Sequence, residues 1–293
     1  LICYGEGTGV SVSPDGKYFA AMIPSGDVSC DITEPEEDVA VPVLVVINLE
    51  TMEKKQYSGT SLNTRISSAS FINNDTLLVS RSCDRGAGSS GTVDCYSLYG
   101  INVVTGKREA LIRAKQTSTG QGVRYPSLFD SMPQYPNKII ITMNRMPQFP
   151  WRFRDLYWLD LDTKQTTKIA EVPDIKNEWH QQWLIDHDGN ARGFITNHDD
   201  RKDREPNGAR DGLYTYVYLM DPKTKKYSRM ASCKHQEACF MPLTFDFDNR
   251  MLFGVGQAVL PDGSLDKSME YTNTNALWLY DTVENKYVEK VFH

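Results

Sequence analysis

The stretch LYWLDLDTKQTTKIA (156–170) contains the pattern that decides the fold. An apolar, aromatic-rich run leads into acidic residues, a short polar turn with Lys, and a second run. Two such runs on either side of a polar turn are typical of a β-hairpin. The stretch is therefore predicted to form two antiparallel strands.

The same pattern returns four more times along the chain. The further copies are VLVVINLETMEKKQY (43–57), LYGINVVTGKREALI (98–112), YVYLMDPKTKKYSRM (216–230) and LWLYDTVENKYVEKV (277–291). Aligning the residue before each turn gives Glu50, Val104, Asp162, Asp221 and Asp281, at steps of 54, 58, 59 and 60 residues. A spacing this steady indicates an internal repeat.

A second hairpin pattern lies between these copies, with Asp or Asn, usually beside Gly, between two runs. It occurs as SVSPDGKYFAAMI (11–23), ASFINNDTLLVS (69–80), YPNKIIIT (135–142), LIDHDGNARGFIT (184–196) and FDFDNRMLFGV (245–255). Each repeat thus carries two hairpins, or four strands, whereas long segments with a helical period are nearly absent.

Tandem units of four strands are the blades of a β-propeller. We predict an all-β fold in which about five four-stranded blades are visible. The chain is interpreted as one domain, 1–293, with approximate blades at 10–58, 65–113, 122–170, 181–230 and 240–292.

Composition and charge exclude several classes of partner. The net charge of −6 argues against a surface that binds nucleic acid, because such surfaces neutralise phosphates with Lys and Arg. The longest apolar run, 39–47, contains a Pro and is far shorter than the ~20 residues of a membrane helix. We therefore expect neither a nucleic-acid partner nor a membrane span.

The cysteines indicate the compartment. One pair flanks a Gly/Ser-rich loop, a second pair flanks a short polar loop, and two remain near the N-terminal end of the sequence. We predict the disulfides Cys83–Cys95, Cys233–Cys239 and Cys3–Cys30, because residues at the base of a hairpin loop lie within bonding distance. Three disulfides place the protein outside the cytoplasm, in the periplasm or secreted. The alternative is six reduced, buried thiols in a cytosolic protein.

Five insertions separate the predicted strands, at 24–42, 81–96, 143–155, 198–212 and 257–274. The third carries Trp151, Arg152 and Arg154. Aromatic rings beside guanidinium groups can hold peptide carboxylates or aromatic side chains, so these three are the candidate substrate-binding residues. The alternative is an aromatic residue that packs its own loop against a blade.

Other motifs are interpreted as structural. Gly86 to Gly91 matches a dinucleotide fingerprint, but strand-like sequence follows it where a helix is needed. The acidic segments 186–189 and 246–248 fit hairpin turns better than calcium loops, and no His spacing suits a metal. We therefore predict no cofactor and no metal. Asn74 begins a glycosylation sequon, which matters only in a eukaryote.

The sequence resembles the propeller of prolyl oligopeptidase-family serine peptidases, most nearly the dipeptidyl- and acylaminoacyl-peptidase-like bacterial branch. The resemblance rests on SPDGKY (13–18), on a run from Tyr125 to Tyr157 that includes DSMP (130–133), YPNKI (135–139) and RDLY (154–157), and on WLIDHDGNAR (183–192). It extends from about Val10 to Phe292.

The resemblance implies a C-terminal α/β-hydrolase domain as partner, with a Ser-Asp-His triad, and a propeller that covers the active site and restricts access to short or unstructured peptides. No Gly-x-Ser-x-Gly elbow occurs in this sequence, so no catalytic residue is assigned and the chain alone is expected to be inactive. Family propellers commonly have seven or eight blades, so five imply either part of a larger propeller or a shorter, closed relative.

The function implied is therefore non-catalytic: to gate and help bind peptides for a hydrolase domain outside this chain. One alternative is a secreted propeller that binds protein or glycan without chemistry. Another is a self-contained, glycosidase-like propeller enzyme. Its two carboxylates cannot be named, because 38 acidic residues guarantee chance pairs.

Overall fold

The computed structural model describes residues 9–24, 42–58, 64–83, 96–116, 123–145, 154–199, 213–221, 223–234, 239–261, 264, 266 and 276–292. All regular secondary structure in these ranges is β-strand. Within them, no helix has the length and apolar character needed to cross a bilayer.

The strands form five four-stranded sheets in chain order. Sheet 1 contains β1 (Val10–Val12), β2 (Tyr18–Pro24), β3 (Pro42–Asn48) and β4 (Lys54–Tyr57). Sheet 2 contains β5 (Thr64–Phe71), β6 (Thr76–Cys83), β7 (Leu98–Asn102) and β8 (Arg108–Ile112). A small two-stranded sheet follows, with β9 (Lys115–Gln116) and β10 (Val123–Arg124).

Sheet 3 contains β11 (Pro126–Asp130), β12 (Lys138–Asn144), β13 (Arg154–Asp160) and β14 (Thr166–Ala170). Sheet 4 contains β15 (Glu178–Ile185), β16 (Ala191–Asp199), β17 (Leu213–Met220) and β18 (Tyr227–Lys234). Sheet 5 contains β19 (Met241–Phe245), β20 (Met251–Gly256), β21 (Ala276–Asp281) and β22 (Lys286–Phe292). Five antiparallel meanders of four strands make a multi-bladed β-propeller, which confirms the predicted fold class.

Contacts divide the chain into two compact units. Unit 1 comprises Leu1–Met143 and Tyr157–Thr167, and unit 2 comprises Asn144–Leu156 and Lys168–His293. The interpretation as a single domain stays a prediction. Within unit 1 the first strands of sheets 1 and 2 lie against each other, and in unit 2 those of sheets 4 and 5 do the same. Apolar clusters fill the space between the paired sheets.

The turn between the third and fourth strands has the same structure in all five sheets. An Asn or Asp side chain opens it and accepts the backbone N–H three residues later. The fourth residue after this cap has a left-handed backbone, with φ between 52° and 72°. The caps are Asn48, Asn102, Asp160, Asp221 and Asp281, and the left-handed residues are Met52, Gly106, Lys164, Lys225 and Asn285.

These caps correct the alignment of the repeats. The structurally equivalent residues are two positions earlier than Glu50, Val104 and Asp162 in the first three copies. The true steps are 54, 58, 61 and 60 residues. The error arose because Asn and Asp serve equally well as caps, so the last residue before the turn is a poor marker of its start.

The acidic segments at 186–189 and 246–248 form hairpin turns, as predicted. The Asp186 carboxylate accepts the N–H groups of Asp188 and Asn190. Asp246 likewise accepts the N–H groups of Arg250 and Met251.

The long connection of every sheet lies between its second and third strands. These connections are 25–41, 84–97, 145–153, 200–212 and 257–275, whereas every other turn within a sheet has four to seven residues. Neighbouring strands run antiparallel, so the long connection leaves one end of its sheet and both tight turns lie at the other. We call these the insertion end and the tight-turn end of each sheet.

Candidate functional site

The most unusual polar cluster in the described residues lies on one face of sheet 4. The opposite face of this sheet packs against sheet 5, with Leu184, Ile195 and Val217 buried in the core of unit 2. We call the other side of sheet 4 the His180 face. It carries Glu178, His180, Trp183, Phe194, Thr196, Tyr216, Tyr218 and Arg229.

A polar network on the His180 face spans all four strands of sheet 4. Glu178, the first residue of β15, is 6% exposed. Its Oε2 accepts the hydroxyl of Thr196 at 2.6 Å, and its Oε1 accepts the hydroxyl of Tyr218 at 2.9 Å. Arg229 completes the row, with Nη2 3.9 Å from Glu178 Oε1. The buried carboxylate is thus paired and hydrogen-bonded, as burial of a charge requires.

The guanidinium of Arg229 is held in place by aromatic rings. Its Cζ lies 3.8 Å from the centroid of the Tyr216 ring, within the distance of a cation–π interaction. Its Nη2 donates to the Tyr218 hydroxyl at 3.4 Å. The Arg229 side chain is still 39% exposed, so some of its five N–H donors face solvent.

The Tyr218 hydroxyl is a donor in this network and stays protonated. Burial is the main cause that raises its pKa to about 12, and the neighbouring Glu178 carboxylate adds to the effect. Because phenolate formation is suppressed, Tyr218 keeps its hydrogen bond to Glu178 at every physiological pH.

His180 is the anomaly of this face. It is 4% exposed, and neither ring nitrogen has a hydrogen-bond partner among the described residues. Its ring lies 5.0 Å from that of Trp183 and 6.4 Å from that of Phe194, centroid to centroid. Burial, followed by the positive charge of Arg154, lowers the pKa of His180 to about 3. The imidazole is therefore neutral near pH 7.

Arg154 is the candidate binding residue that the structure describes, while Trp151 and Arg152 lie outside the described residues. Arg154 is the first residue of β13. Its backbone carbonyl accepts the indole N–H of Trp183 at 2.7 Å. This bond and the effect of Arg154 on the His180 pKa bring the residue next to the His180 face.

An ion pair fixes both ends of the insertion that contains Trp151 and Arg152. Arg145 is the first residue of the insertion, and its Nε donates to Asp155 Oδ2 at 3.1 Å. The other Asp155 oxygen accepts a second bond from Arg145 and the N–H of Val172. Asp155 is 2% exposed. A bidentate, buried pair of this kind has a defined geometry, so the insertion starts and ends at fixed points.

One predicted disulfide lies at the insertion end of sheet 4. Cys233 in β18 is bonded to Cys239, with 5.3 Å between their Cα atoms. Cys83 ends β6, but Cys95, Cys3 and Cys30 lie outside the described residues, as does the loop before Cys95. The pairings Cys83–Cys95 and Cys3–Cys30 therefore stay predictions.

The cluster has the chemistry of a binding surface. It offers a fixed guanidinium, a paired carboxylate, phenolic hydroxyls and aromatic rings. The described residues contain no group of three His, Cys, Asp or Glu side chains that could hold a metal ion. Sequence reasoning missed Glu178, His180, Tyr218 and Arg229. The run Tyr214-Thr-Tyr216-Val-Tyr218 was the available signal, because its alternation predicts three tyrosines on one face.

No protein-family model matches the sequence, and no curated protein matches it either. Solved structures do resemble the fold. The chain is 14% identical to an oligogalacturonate lyase from Vibrio parahaemolyticus, over 99% of this chain and 66% of that one, with a TM-score of 0.45. It is 12% identical to dipeptidyl peptidase 4 from Porphyromonas gingivalis, over 97% of this chain and 36% of that one, with a TM-score of 0.49.

A prolyl endopeptidase is 11% identical, over 100% of this chain and 35% of that one, with a TM-score of 0.47. The chain thus spans between 35% and 66% of the length of these structures. One fold supports many unrelated functions, so the function of this chain has to be argued from its own residues.

Proposed function

We propose that this chain is the propeller of a serine peptidase of the prolyl oligopeptidase type. In this role it binds peptides and admits them to a hydrolase domain outside the given sequence. It performs no chemistry itself, since the sequence contains no nucleophile elbow.

The observation that carries the proposal is the one-ended placement of the insertions. In each of the five sheets the connection of nine to 19 residues leaves the insertion end, and the tight-turn end has only short, capped turns. Recognition residues are concentrated on loops that a rigid scaffold positions. A propeller that screens peptides needs such loops, and here they leave the same end of every sheet.

The chemistry beside these loops suits peptides. A peptide offers an ammonium group, a carboxylate, and carbonyl and N–H groups between them. Glu178 at the insertion end of sheet 4, the Arg229 guanidinium and Arg154 supply both signs of charge, and tyrosines supply apolar contact with a hydroxyl. Tyr and Arg are the residue types that contribute most to binding energy at interfaces.

Peptide binding by the 293-residue chain tests the proposal. The ligands are peptides of three to six residues, prepared once with free termini and once with blocked, uncharged termini. Calorimetry should give a Kd of about 1 mM or tighter for the peptides with free termini. Arg154→Ala should weaken binding about ten-fold or more, as expected when a carboxylate loses a charged partner. Lys286→Ala is the matched control, because Lys286 follows a tight turn and its side chain is 62% exposed.

Two results would overturn the proposal. One is the absence of binding for every peptide, and the other is equal binding by the wild type and Arg154→Ala. The non-catalytic part has its own test, since we expect no hydrolysis of peptide or ester substrates. Robust activity abolished by a serine-directed phosphonate would contradict it.

We also infer an extracytoplasmic location. The Cys233–Cys239 disulfide supports this inference, because stable disulfides are rare in reducing compartments. Alkylation of whole cells under non-reducing conditions tests it. Labelling of Cys233 and Cys239 in the native protein would place the chain in the cytoplasm.

A further inference from the structure

Unit 1 contains a groove that the proposed function does not use. It has a volume of about 370 Å³ and is bounded by strands β5 and β6, the start of β7 and the start of β11. This volume lies within the range of roughly 300–1,000 Å³ that is typical of small-molecule sites. The start of β7 and the start of β11 both lie at the insertion ends of their sheets.

Two tyrosines form the aromatic part of the groove. The rings of Tyr96 and Tyr125 are 5.4 Å apart, centroid to centroid, and are tilted by 31°. Tyr96 is 49% exposed, which is unusual for a large aromatic residue that has a neighbouring ring to pack against. The electron-rich face of an exposed ring attracts C–H groups that carry partial positive charge.

The rest of the polar lining consists of hydroxyl groups. Five serines line the groove: Ser68, Ser70, Ser80, Ser97 and Ser127. Each hydroxyl can donate one hydrogen bond and accept two. Ser97 is 2% exposed, and its Oγ accepts the N–H of Ala114 at 2.9 Å. The position of this oxygen is therefore fixed.

The described part of the groove is neutral. None of the described residues that line the groove is Asp, Glu, His, Lys or Arg. A charged ligand placed here would lose its hydration without gaining a counter-charge, which costs free energy. The groove therefore selects for a neutral molecule that is rich in both donors and acceptors.

We propose that this groove binds an uncharged sugar residue. A pyranose ring has hydroxyl groups around its edge and C–H groups on its faces, so one ligand matches both the serine hydroxyls and the tyrosine rings. A neutral peptide offers fewer polar groups, since each residue has one N–H and one carbonyl. The sugar site is in unit 1 and is independent of the peptide-binding residues of unit 2.

Saturation-transfer NMR on the intact chain tests the proposal. The probes are glucose, galactose, mannose, N-acetylglucosamine and cellobiose, with galacturonate as the charged counterpart and N-acetylated glycine amide as the neutral peptide. We expect saturation transfer from at least one neutral sugar. Tyr96→Ala should weaken its binding about ten-fold, the loss expected when one aromatic contact is removed.

Tyr135→Ala is the matched control, because Tyr135 is also an exposed tyrosine of unit 1 and lies outside the groove. It should leave sugar binding unchanged. Ser80→Ala provides a second test that does not alter the aromatic pair, and it should weaken binding by a smaller factor. Circular dichroism of each variant checks that the fold is intact.

Three outcomes would overturn the proposal: no transfer from any neutral sugar, stronger binding of galacturonate or of the peptide amide, or equal binding by the wild type and Tyr96→Ala. Each is separate from the fate of the peptide proposal, since a chain that binds sugar and no peptide would refute only the latter.

Discussion

Between the first two strands of sheet 2 the register shifts after Ile66, and in sheet 4 it shifts after His180. A second shift precedes Tyr99 in sheet 2 and Tyr218 in sheet 4. Matching the positions of these shifts aligns the sequence of sheet 2 with that of sheet 4, residue by residue. The equivalent pairs on this face are Ile66 and His180, Ala69 and Trp183, Val79 and Phe194, Tyr99 and Tyr218, and Ala110 and Arg229.

The comparison shows that one backbone accepts two kinds of interior. Sheet 2 fills the face with Ile66, Ala69, Val79 and Tyr99, which form part of the core of unit 1. Sheet 4 fills it with aromatic rings, a buried carboxylate and an imidazole that has no hydrogen-bond partner among the described residues. Buried polar groups lower stability unless they are satisfied, so the buried carboxylate and imidazole on the face of sheet 4 favour a role other than folding.

Removing the largest side chain of this face should have the largest effect. Trp183 is 1% exposed, and its indole N–H bonds to the Arg154 carbonyl. Trp183→Ala introduces the residue that sheet 2 has at the equivalent position, Ala69, but leaves a cavity. We therefore expect a loss of about 3–5 kcal/mol in the free energy of unfolding. Denaturant titration measures it, with Trp183→Phe as a milder control. A loss below about 1 kcal/mol would mean that the sheets are interchangeable here.

The Glu178 network should account for the next largest effect. Glu178→Gln keeps the shape of the side chain but replaces the charged carboxylate that accepts hydrogen bonds from the hydroxyls of Thr196 and Tyr218. Hydrogen bonds to charged groups contribute about 1.5–3 kcal/mol, and we expect a loss in that range. Tyr218→Phe removes one of the same bonds, so the double variant should lose less than the sum of the two. Strict additivity would show that the network does not act as a unit.

Replacing His180 should increase stability. His180→Leu removes two unsatisfied ring nitrogens and introduces an apolar side chain, as Ile66 is in sheet 2. We expect a gain of about 1–2 kcal/mol in the free energy of unfolding at pH 7. Loss of stability would indicate a partner for the imidazole. A stabilised variant that binds peptide more weakly would assign His180 to the binding site.

The pH dependence sharpens this prediction. Burial lowers the folded-state pKa of His180 from 6.5 to about 3. Between these values the unfolded chain binds a proton that the folded chain does not, so stability falls as pH falls through this range. The wild type should lose more stability than His180→Leu when the pH is lowered from 7 to 4. Parallel pH profiles for the two proteins would contradict the assignment.

The smallest expected effect concerns Arg81, which lies over the sheet 2 face. The Arg81 guanidinium lies 3.4 Å from the centroid of the Tyr99 ring, a geometry that resembles Arg229 over Tyr216. A cation–π contact contributes about 0.5–1 kcal/mol at an exposed site, so Arg81→Gln should cost about that much in the free energy of unfolding. Arg229→Gln should cost more, since it leaves Glu178 without its guanidinium. Equal losses of stability in the two variants would show that the pairing of Arg229 with Glu178 does not contribute to the free energy of unfolding.

The fold could be predicted from the sequence because each strand and turn has a local pattern of residues. Asp186 and Asp246 cap their turns where an acidic turn was predicted, and the runs on either side form strands. The site was harder to predict, and Arg154 was the only described member named beforehand. Glu178 and Tyr218 are 40 residues apart, and they meet only because β16 pairs with both β15 and β17, which no local pattern marks. The burial of His180 against Trp183 and Phe194 is likewise a property of packing alone.

The capped turns also determine where the chain can change in length. A strand that slips by one residue turns every side chain to the opposite face, so an added residue in a four- to seven-residue turn would expose the core of that sheet. The long connections have no such constraint, because a residue added there leaves both flanking strands in register. Insertions and deletions can therefore accumulate at one end of the sheets, and new specificities can arise there without loss of the scaffold.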